Sequence, residues 1–169
     1  MTGINHLTGG TVFTGIFCSL WNYNIFEKWE YLLATLVASI LPDIDHKKSL
    51  IGRIFFPISF YISKKYGHRT ITHSIFFLIT ATIIASLSLP KIYTYIVFFG
   101  VFSHLVFDML TISGVPLLYP FLKNPCVIPG NDNYRIRTGD IKTEGVFLIG
   151  FICSLVFLQP LFNQGLLGI

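Results

Sequence analysis

The stretch FFGVFSHLVFDML, residues 98–110, combines an apolar helical pattern with two ionisable side chains. His104 and Asp108 stand four residues apart, so on a helix they lie on one face, one turn apart. Ionisable side chains inside an apolar segment are costly and need either a partner or a function. The spacing therefore indicates either two ligands for one metal ion or a histidine hydrogen-bonded to a carboxylate for helix packing.

This stretch belongs to a chain that is apolar along most of its length. Of the 169 residues, 53% are hydrophobic and 12% are charged, against about 25% charged residues in an average soluble domain. The composition argues against a soluble domain and against disorder, and we expect most of the chain to lie in a bilayer. The net charge of +4 is too small to indicate nucleic acid binding, so membrane lipids, especially anionic ones, are the expected partners.

Five apolar stretches predict membrane spans, each compared with the roughly 20 residues that a bilayer core requires. They are residues 8–22, 31–41, 71–89, 92–112 and 145–163. The first two are short, and a pair of half-spanning helices is the alternative for them. Residues 50–63 are apolar but contain Arg53 and Pro57, which favours an interfacial or re-entrant helix. The predicted fold is all-α, a polytopic transmembrane helical bundle of about four to five spans, with residues 1–169 forming a single membrane-embedded domain.

The lysine and arginine residues predict how this bundle is oriented. If all five stretches span, every basic residue except Lys28 and Lys91 lies on the same side as the N-terminus. These residues occupy the loops 42–70 and 113–144. The positive-inside rule then places the N-terminus and both long loops in the cytoplasm. We expect a multi-pass protein of the inner, cytoplasmic membrane.

Further ionisable side chains fall at the predicted cytoplasmic ends of the spans. They are Asp43, Asp45 and His46 in LPDIDH (residues 41–46), His68, Arg69 and His73 in GHRTITHS (residues 67–74), and His6 before the first span. Taken singly, each has an ordinary explanation as a solvated helix boundary, a polar helix cap or an isolated histidine. Together they meet at one end of the bundle, a result that the count of basic residues does not require.

Imidazole and carboxylate groups without a thiolate are the ligands of a hydrolytic zinc or manganese site. Such a metal polarises a phosphoryl oxygen and lowers the pKa of bound water to about 7. Without a cation, each of these groups would be desolvated without compensation. The sequence therefore predicts a divalent metal at the cytoplasmic side, zinc first with manganese or another ion as alternatives, and room for two ions.

The motifs, taken in order, resemble those of a known family. NHLTGG, LPDIDH, GHRTITHS and SHLVFDMLTISGVPLLYPF are similar to the motifs of the YdjM-type family of membrane-bound, metal-dependent hydrolases. That family is in turn distantly similar to the zinc-dependent phospholipase C and P1 nuclease group, whose members are helical and use three zinc ions. The resemblance implies a helical fold and a hydrolytic metal site.

The similarity to the zinc enzymes also implies individual ligands. His104 and Asp108 match an H-x-x-x-D helix pattern of that group. The further ligands that the similarity implies are His6, His73 and either Asp43 or Asp45. An H-x-x-x-E pattern has a partial counterpart in Asp140 and Glu144, where the histidine is missing. Glu144 either closes the ligand ring or complements the dipole of the last helix.

The leading hypothesis is a membrane-embedded metal-dependent hydrolase, a phosphoesterase that acts on a phospholipid or lipid phosphate at the cytoplasmic leaflet. The expected metal ligands are His6, Asp43, His73, His104, Asp108 and Glu144. Asp45 or His68 is expected to act as the base or to support a ligand, and Arg69 to bind phosphate charge.

Two other classes of protein fit parts of the pattern. One is a non-enzymatic membrane protein whose metal holds the bundle together or docks a cytoplasmic regulator. The other is an ion or proton carrier, which is disfavoured because the charged residues cluster at one end of the bundle instead of crossing it.

Overall fold

The computed structural model describes residues 1–164, and this part of the chain folds into helices without any β-strand. The α-helices are α1 (Gly3–Ser19), α2 (Trp29–Ile40), α3 (Leu50–Ile54), α4 (Phe56–Tyr66), α5 (Ile75–Ser88), α6 (Lys91–Met109) and α7 (Ile141–Gln164). Three short 3₁₀ segments are Leu41–Asp45, Ile71–His73 and Asp132–Tyr134. The prediction of an all-α fold is confirmed.

The five longest helices overlap the five predicted apolar stretches, with ends that differ by up to five residues. Within residues 1–164, α6 and α7 are the two helices that are long and apolar enough to cross a membrane. Helix α5 is apolar but has 14 residues, and α2 has 12. At 1.5 Å per residue α2 is about 18 Å long, which is short of the roughly 30 Å of a hydrocarbon core.

Helix α6 is the centre of the bundle and packs against α1, α2 and α5. In its first half, the side chains of Ile92, Ile96 and Phe99 are buried. The Phe17 ring stacks on Phe99 with ring centroids 5.0 Å apart. We call the buried cluster around these side chains the aromatic end of the bundle, formed by Cys18, Ile25, Ala38, Ile92, Ile96 and Phe99 with the rings that surround them.

The backbones of α2 and α6 approach closely at a glycine. A Cβ atom on Gly100 would lie 2.6 Å from the Cβ of Ala38, closer than real Cβ contacts. Small residues at helix contacts are typical of membrane bundles, because van der Waals packing, and not the hydrophobic effect, drives helix association in lipid. This contact also brings the end of α2 to the middle of α6.

Helix α7 packs on α1 along one side and exposes apolar side chains elsewhere. The Phe151 ring contacts Phe107 of α6, with centroids 5.2 Å apart. In contrast, Val146, Ile149 and Phe157 are 64–79% exposed. An exposed apolar surface of this extent is unfavourable in water, so α7 has the surface of a lipid-facing helix.

The segment between α6 and α7 is ordered by backbone hydrogen bonds to the end of α6. The amide of Ile112 donates to the carbonyl of Ile136, and the amide of Ile136 donates to the carbonyl of Leu110, at 3.0 and 2.9 Å. Thr111 and Ile136 form one isolated β-bridge, and Val115 and Cys126 form another. These contacts hold the segment against the end of α6.

Candidate metal centre

Of the six residues expected to bind metal, five lie close together, and Glu144 is the exception. They come from four regions, namely α1 (His6), the 3₁₀ segment after α2 (Asp43), the 3₁₀ segment before α5 (His73) and α6 (His104 and Asp108). One set of ligand atoms, from His6, His104 and Asp108, lies within 4.8 Å of one another, and a second set, from Asp43, His73 and His104, does the same. We call these five residues the His/Asp cluster.

Local sequence places two of these side chains at helix ends. Pro42 lies in the first turn of the 3₁₀ segment that follows α2, and Asp43 comes directly after it. The Ser74 hydroxyl accepts a hydrogen bond from the Phe77 amide at 3.3 Å and so caps α5. His73 therefore lies just outside the helix and points its ring into the bundle, where it is fully buried.

The contacts of His104 and His73 indicate which ring nitrogen carries the proton when each ring is neutral. Nδ1 of His104 lies 2.8 Å from the Ser39 carbonyl oxygen, which can only accept. Nδ1 of His73 lies 3.3 Å from Oδ2 of Asp45, which also accepts. In the neutral rings both Nε2 atoms are then unprotonated, and they face each other at 3.2 Å.

Two facing lone pairs repel each other unless a proton or a cation lies between them. Two imidazole nitrogens bound to one tetrahedral zinc ion lie about 3.3 Å apart, given bonds of about 2.0–2.1 Å. Oδ1 of Asp43 lies 3.9 Å from Nε2 of His73 and 3.8 Å from Nε2 of His104. Oδ2 of Asp108 lies 3.5 Å from Nε2 of His73 and is buried without a hydrogen-bond partner. This donor set fits a divalent cation.

The second oxygen of Asp108 contacts several positively charged or polar groups. Oδ1 lies 2.6 Å from the amino group of Met1, 3.3 Å from Nε2 of His6 and 2.9 Å from Nη2 of Arg69. The His6 ring stacks on His104 with centroids 3.7 Å apart, and its buried Nδ1 has no hydrogen-bond partner. Asp108 therefore connects the two sets of ligand atoms.

Asp45 lies behind the cluster and orients two histidines. Its buried carboxylate accepts from Nδ1 of His68, the Arg69 amide and the Thr72 hydroxyl at 2.8, 2.8 and 2.7 Å. Burial disfavours the charged carboxyl, but hydrogen bonds from His68 and His73 outweigh it and hold the pKa of Asp45 well below its usual value. An ionised carboxylate behind a ligating histidine is a common support in metal sites. Asp45 has the geometry of a supporting residue, the second of its two expected roles.

Arg69 and His68 lie at the exposed edge of the cluster. Arg69 has a φ of 57°, a conformation rare for residues other than glycine, and the bond from its amide to Asp45 holds it there. Its Nη1 donates to the Thr111 hydroxyl at 3.2 Å, in addition to the contact with Asp108. The His68 side chain is 40% exposed. Both residues are thus placed between the buried ligands and open space.

Glu144 accepts hydrogen bonds from backbone and side-chain donors and lies outside the two sets of ligand atoms. Its carboxylate accepts from the amides of Thr2 and Gly139 at 3.1 Å each, and from the side chain of Asn5 at 3.2 Å. In the part of the chain that the structure describes, Glu144 belongs to neither set of ligand atoms. Its contacts tie the start of α7 to the start of α1 and so hold the helix that carries His6.

A cavity of about 570 Å³ opens beside Asp43 and the edge formed by His68 and Arg69. The polar residues that line it include Asp43, His46, Lys48, Ser49, His68 and Arg69. The apolar residues that line it include Ile4, Leu7, Ile40, Leu50 and Ile51. The cavity therefore joins the accessible side of the His/Asp cluster to apolar surface.

The chain is similar to proteins of one family along nearly its whole length. The YdjM inner membrane protein family matches residues 1–167. Uncharacterized protein YvsG of Bacillus subtilis (strain 168) is 35% identical over 121 residues, which are 71% of this chain and 74% of that protein. No solved structure matches the chain.

Two further relatives carry the family's name. Inner membrane protein YdjM of Escherichia coli (strain K12) and that of Shigella flexneri are each 34% identical over 138 residues, which are 76% of this chain. The match spans 64% of the length of each of these two relatives. The family match and the lipid-type surface of α7 agree that this is a membrane protein. The chain belongs to the YdjM inner membrane protein family.

Proposed function

We propose that this protein is a membrane-embedded, metal-dependent phosphoesterase that acts on a phospholipid or another lipid phosphate at the cytoplasmic leaflet. One observation carries the proposal: the Nε2 atoms of His73 and His104 face each other at 3.2 Å, beside an unpartnered oxygen of Asp108. Both Nδ1 atoms lie against acceptors, so the two Nε2 atoms are available for a cation. Zinc is the first candidate, with manganese or another divalent ion as alternatives.

A bound divalent metal would polarise a phosphoryl oxygen and lower the pKa of a bound water toward 7. Asp43, His73 and His104 would hold it, with Oδ2 of Asp108 3.5 Å from Nε2 of His73, and His6 belongs to the other set of ligand atoms, with His104 and Asp108. His68 is oriented by Asp45 through Nδ1, which leaves its Nε2 free to take or give a proton. The guanidinium of Arg69 supplies positive charge beside the site for the phosphate.

The mixed lining of the cavity supports the lipid part of the proposal. Ile4 and Leu50, which line it, are 55% and 62% exposed, which is unfavourable unless an apolar group covers them. Lys48 and Arg69 line the same cavity and would attract an anionic group. A molecule with an acyl chain and a phosphate complements both the apolar and the basic lining residues.

The membrane arrangement that goes with this proposal is a multi-pass protein with the N-terminus and both long loops in the cytoplasm. Helices α6 and α7 are long enough to cross the bilayer. Helices α1, α2 and α5 would complete a bundle of four to five spans as shorter or half-spanning elements. The distribution of lysine and arginine supports this orientation in the inner membrane.

A non-enzymatic protein with a structural metal site is the second candidate, and the burial of the ligands favours it. His6, His73, His104 and Asp108 are at most 1% exposed, as in closed structural sites. The Asp43 side chain, in contrast, is 16% exposed and lines the cavity. An open ligand beside a cavity is what a catalytic site needs, so we place the enzyme first.

The test compares metal content and lipid hydrolysis in purified, detergent-solubilised protein. Asp43→Asn keeps the size of the side chain and removes its charge, and Asp140→Asn is a matched change at an exposed carboxylate that bonds only within its own turn. We expect the wild type and Asp140→Asn to release phosphate or a phosphorylated head group from one of a panel of phospholipids and phosphatidate. Asp43→Asn should lose at least about a hundredfold in rate.

Two outcomes would favour the non-enzymatic candidate. In one, metal-loaded wild-type protein releases nothing from any membrane lipid. In the other, cells carrying the wild type and cells carrying Asp43→Asn have the same lipid profile, although only the wild type retains metal.

A further inference from the structure

Helices α3 and α4 expose a dense set of apolar side chains. Within residues 50–61, the large apolar residues that are between 44% and 68% exposed are Leu50, Ile54, Phe55, Phe56, Ile58, Phe60 and Tyr61. Ser59 is the one buried residue of α4. A helix that is apolar on nearly all sides and covered on one has to meet a non-aqueous phase or another apolar surface.

The geometry of this segment excludes a membrane span. The helix is interrupted at Phe55, where φ is −104° and ψ is 45°, and Pro57 lies in the first turn of α4. Helix α4 is about 16 Å long at 1.5 Å per residue, about half of a hydrocarbon core. Nζ of Lys47 lies 4.5 Å from the centroid of the Phe60 ring, so the chain before α3 folds back beside α4. The start of the segment therefore lies beside the middle of α4.

The charges of the segment have a single sign. Lys47 and Lys48 precede α3, Arg53 lies within it, and Lys64 and Lys65 form the last turn of α4. No aspartate or glutamate occurs in the sequence between Asp45 and Asp108. Basic residues that bracket an exposed apolar helix are complementary to a leaflet with anionic head groups.

We propose that residues 47–66 form a lipid-binding element that lies in the plane of the membrane surface and binds anionic phospholipid. The exposed apolar side chains enter the acyl region, and the five basic residues contact the phosphate-bearing head groups. The aliphatic parts of the lysines run along the apolar surface while their ammonium groups remain at the head groups.

Hydrogen bonds connect this element to the backbone of the His/Asp cluster. The Ser49 hydroxyl donates to the carbonyl of Asp43 at 2.8 Å and accepts from the Gly52 amide at 2.9 Å. Gly52 lies directly against the His46 carbonyl, where a Cβ atom would clash. Leu50 and Ile51 also line the cavity beside the cluster. Contact with the leaflet thus fixes the cavity mouth at the level of the head groups.

The depth of the element can be measured with the full chain in nanodiscs of phosphatidylglycerol and phosphatidylcholine. Cys126 and Cys153 are replaced by serine, whereas Cys18 is buried and stays. A fluorophore that is sensitive to its environment is attached after Ile58→Cys, and after Asp132→Cys as the control, since the side chain of Asp132 is 76% exposed in a polar loop. We expect brominated lipid to quench the label at position 58 and aqueous iodide to quench the one at position 132. Iodide quenching at position 58 equal to that at position 132 would overturn the proposal.

The charge requirement is tested by removing four lysines together. Lys47, Lys48, Lys64 and Lys65 are changed to glutamine in one variant, and Lys28, Lys91, Lys123 and Lys142 in a matched control with the same change of net charge. We expect the first variant to lose at least about tenfold of the preference for phosphatidylglycerol over phosphatidylcholine, measured by energy transfer to labelled lipid, and the control to keep most of it. An equal loss in both variants, or no preference in the wild type, would refute the proposal. Neither measurement depends on hydrolysis, so the result stands apart from the proposed activity.

Discussion

The two halves of helix α6 hold the bundle together by different means. At the aromatic end, Ile96 and Phe99 are buried among apolar side chains that make no directional bonds. Two turns later, His104 and Asp108 are equally buried but are surrounded by hydrogen bonds and charge contacts. Burying apolar groups stabilises a fold, whereas burying ionisable groups is unfavourable unless each is paired. The first half of α6 therefore provides packing, whereas the second half carries buried ionisable groups that could hold a metal ion.

The largest effect is expected when both α6 ligands are removed. The double variant His104→Ala, Asp108→Ala removes two of the three residues of one set of ligand atoms and one of the three residues of the other. We expect the purified protein to lose its bound metal completely, measured by elemental analysis, while it still inserts into the membrane. Insertion is preserved because the apolar surfaces of α6 and α7 are unchanged. Stoichiometric metal in the double variant would show that the second half of α6 is not the binding half.

A change at the aromatic end should act on stability alone. Ile96→Ala removes a fully buried side chain, and we expect a loss of about 2–5 kcal/mol in the free energy of unfolding. Ile83→Ala is the matched control, because Ile83 is 51% exposed on α5. Denaturation in detergent micelles measures the stability of each variant. If folded Ile96→Ala protein also lost its metal, the two halves of α6 would be coupled and the comparison would fail.

A smaller effect is expected behind the cluster. Asp45→Asn keeps the shape of the side chain but removes the charge that orients His73 and His68. We expect the metal affinity to fall about 10–100-fold, or about 1.4–2.8 kcal/mol, with the metal still bound at saturation. Competition with a chelator of known affinity measures the change. Asp132→Asn, at an exposed carboxylate that pairs with Arg135, serves as the control, and an equal effect in both variants would contradict the supporting role of Asp45.

The helical fold and the meeting of the five clustered residues could be predicted from the sequence, because both depend on local patterns. Hydrophobic runs located the long helices, and polar residues at the ends of those runs located the cluster. The boundaries were less accurate for a physical reason. The third stretch was predicted to start at residue 71, but the Ser74 cap delays α5 until Ile75 and leaves His73 free to turn into the bundle.

The partners of the cluster could not be predicted, because they are distant in sequence or belong to the backbone. The carbonyl of Ser39 fixes the tautomer of His104 across 65 residues, and a carbonyl leaves no signal in a sequence. Glu144 was expected as a ligand, yet its oxygens accept from the amide of Thr2, 142 residues away. A first-turn glutamate has the same local pattern whether it binds a metal, a helix dipole or another helix.

The order in which the ligands occur along the chain has a consequence for biogenesis. His6 is made first, Asp43 and His73 follow, and Asp108 completes the set only when α6 has been synthesised. No earlier translation intermediate contains all five donors, so the nascent chain cannot form the complete centre before α6 has left the ribosome and packed against α1 and α2. Capture of a metal by the complete set would therefore be a late event of biogenesis, after the insertion and packing of these helices.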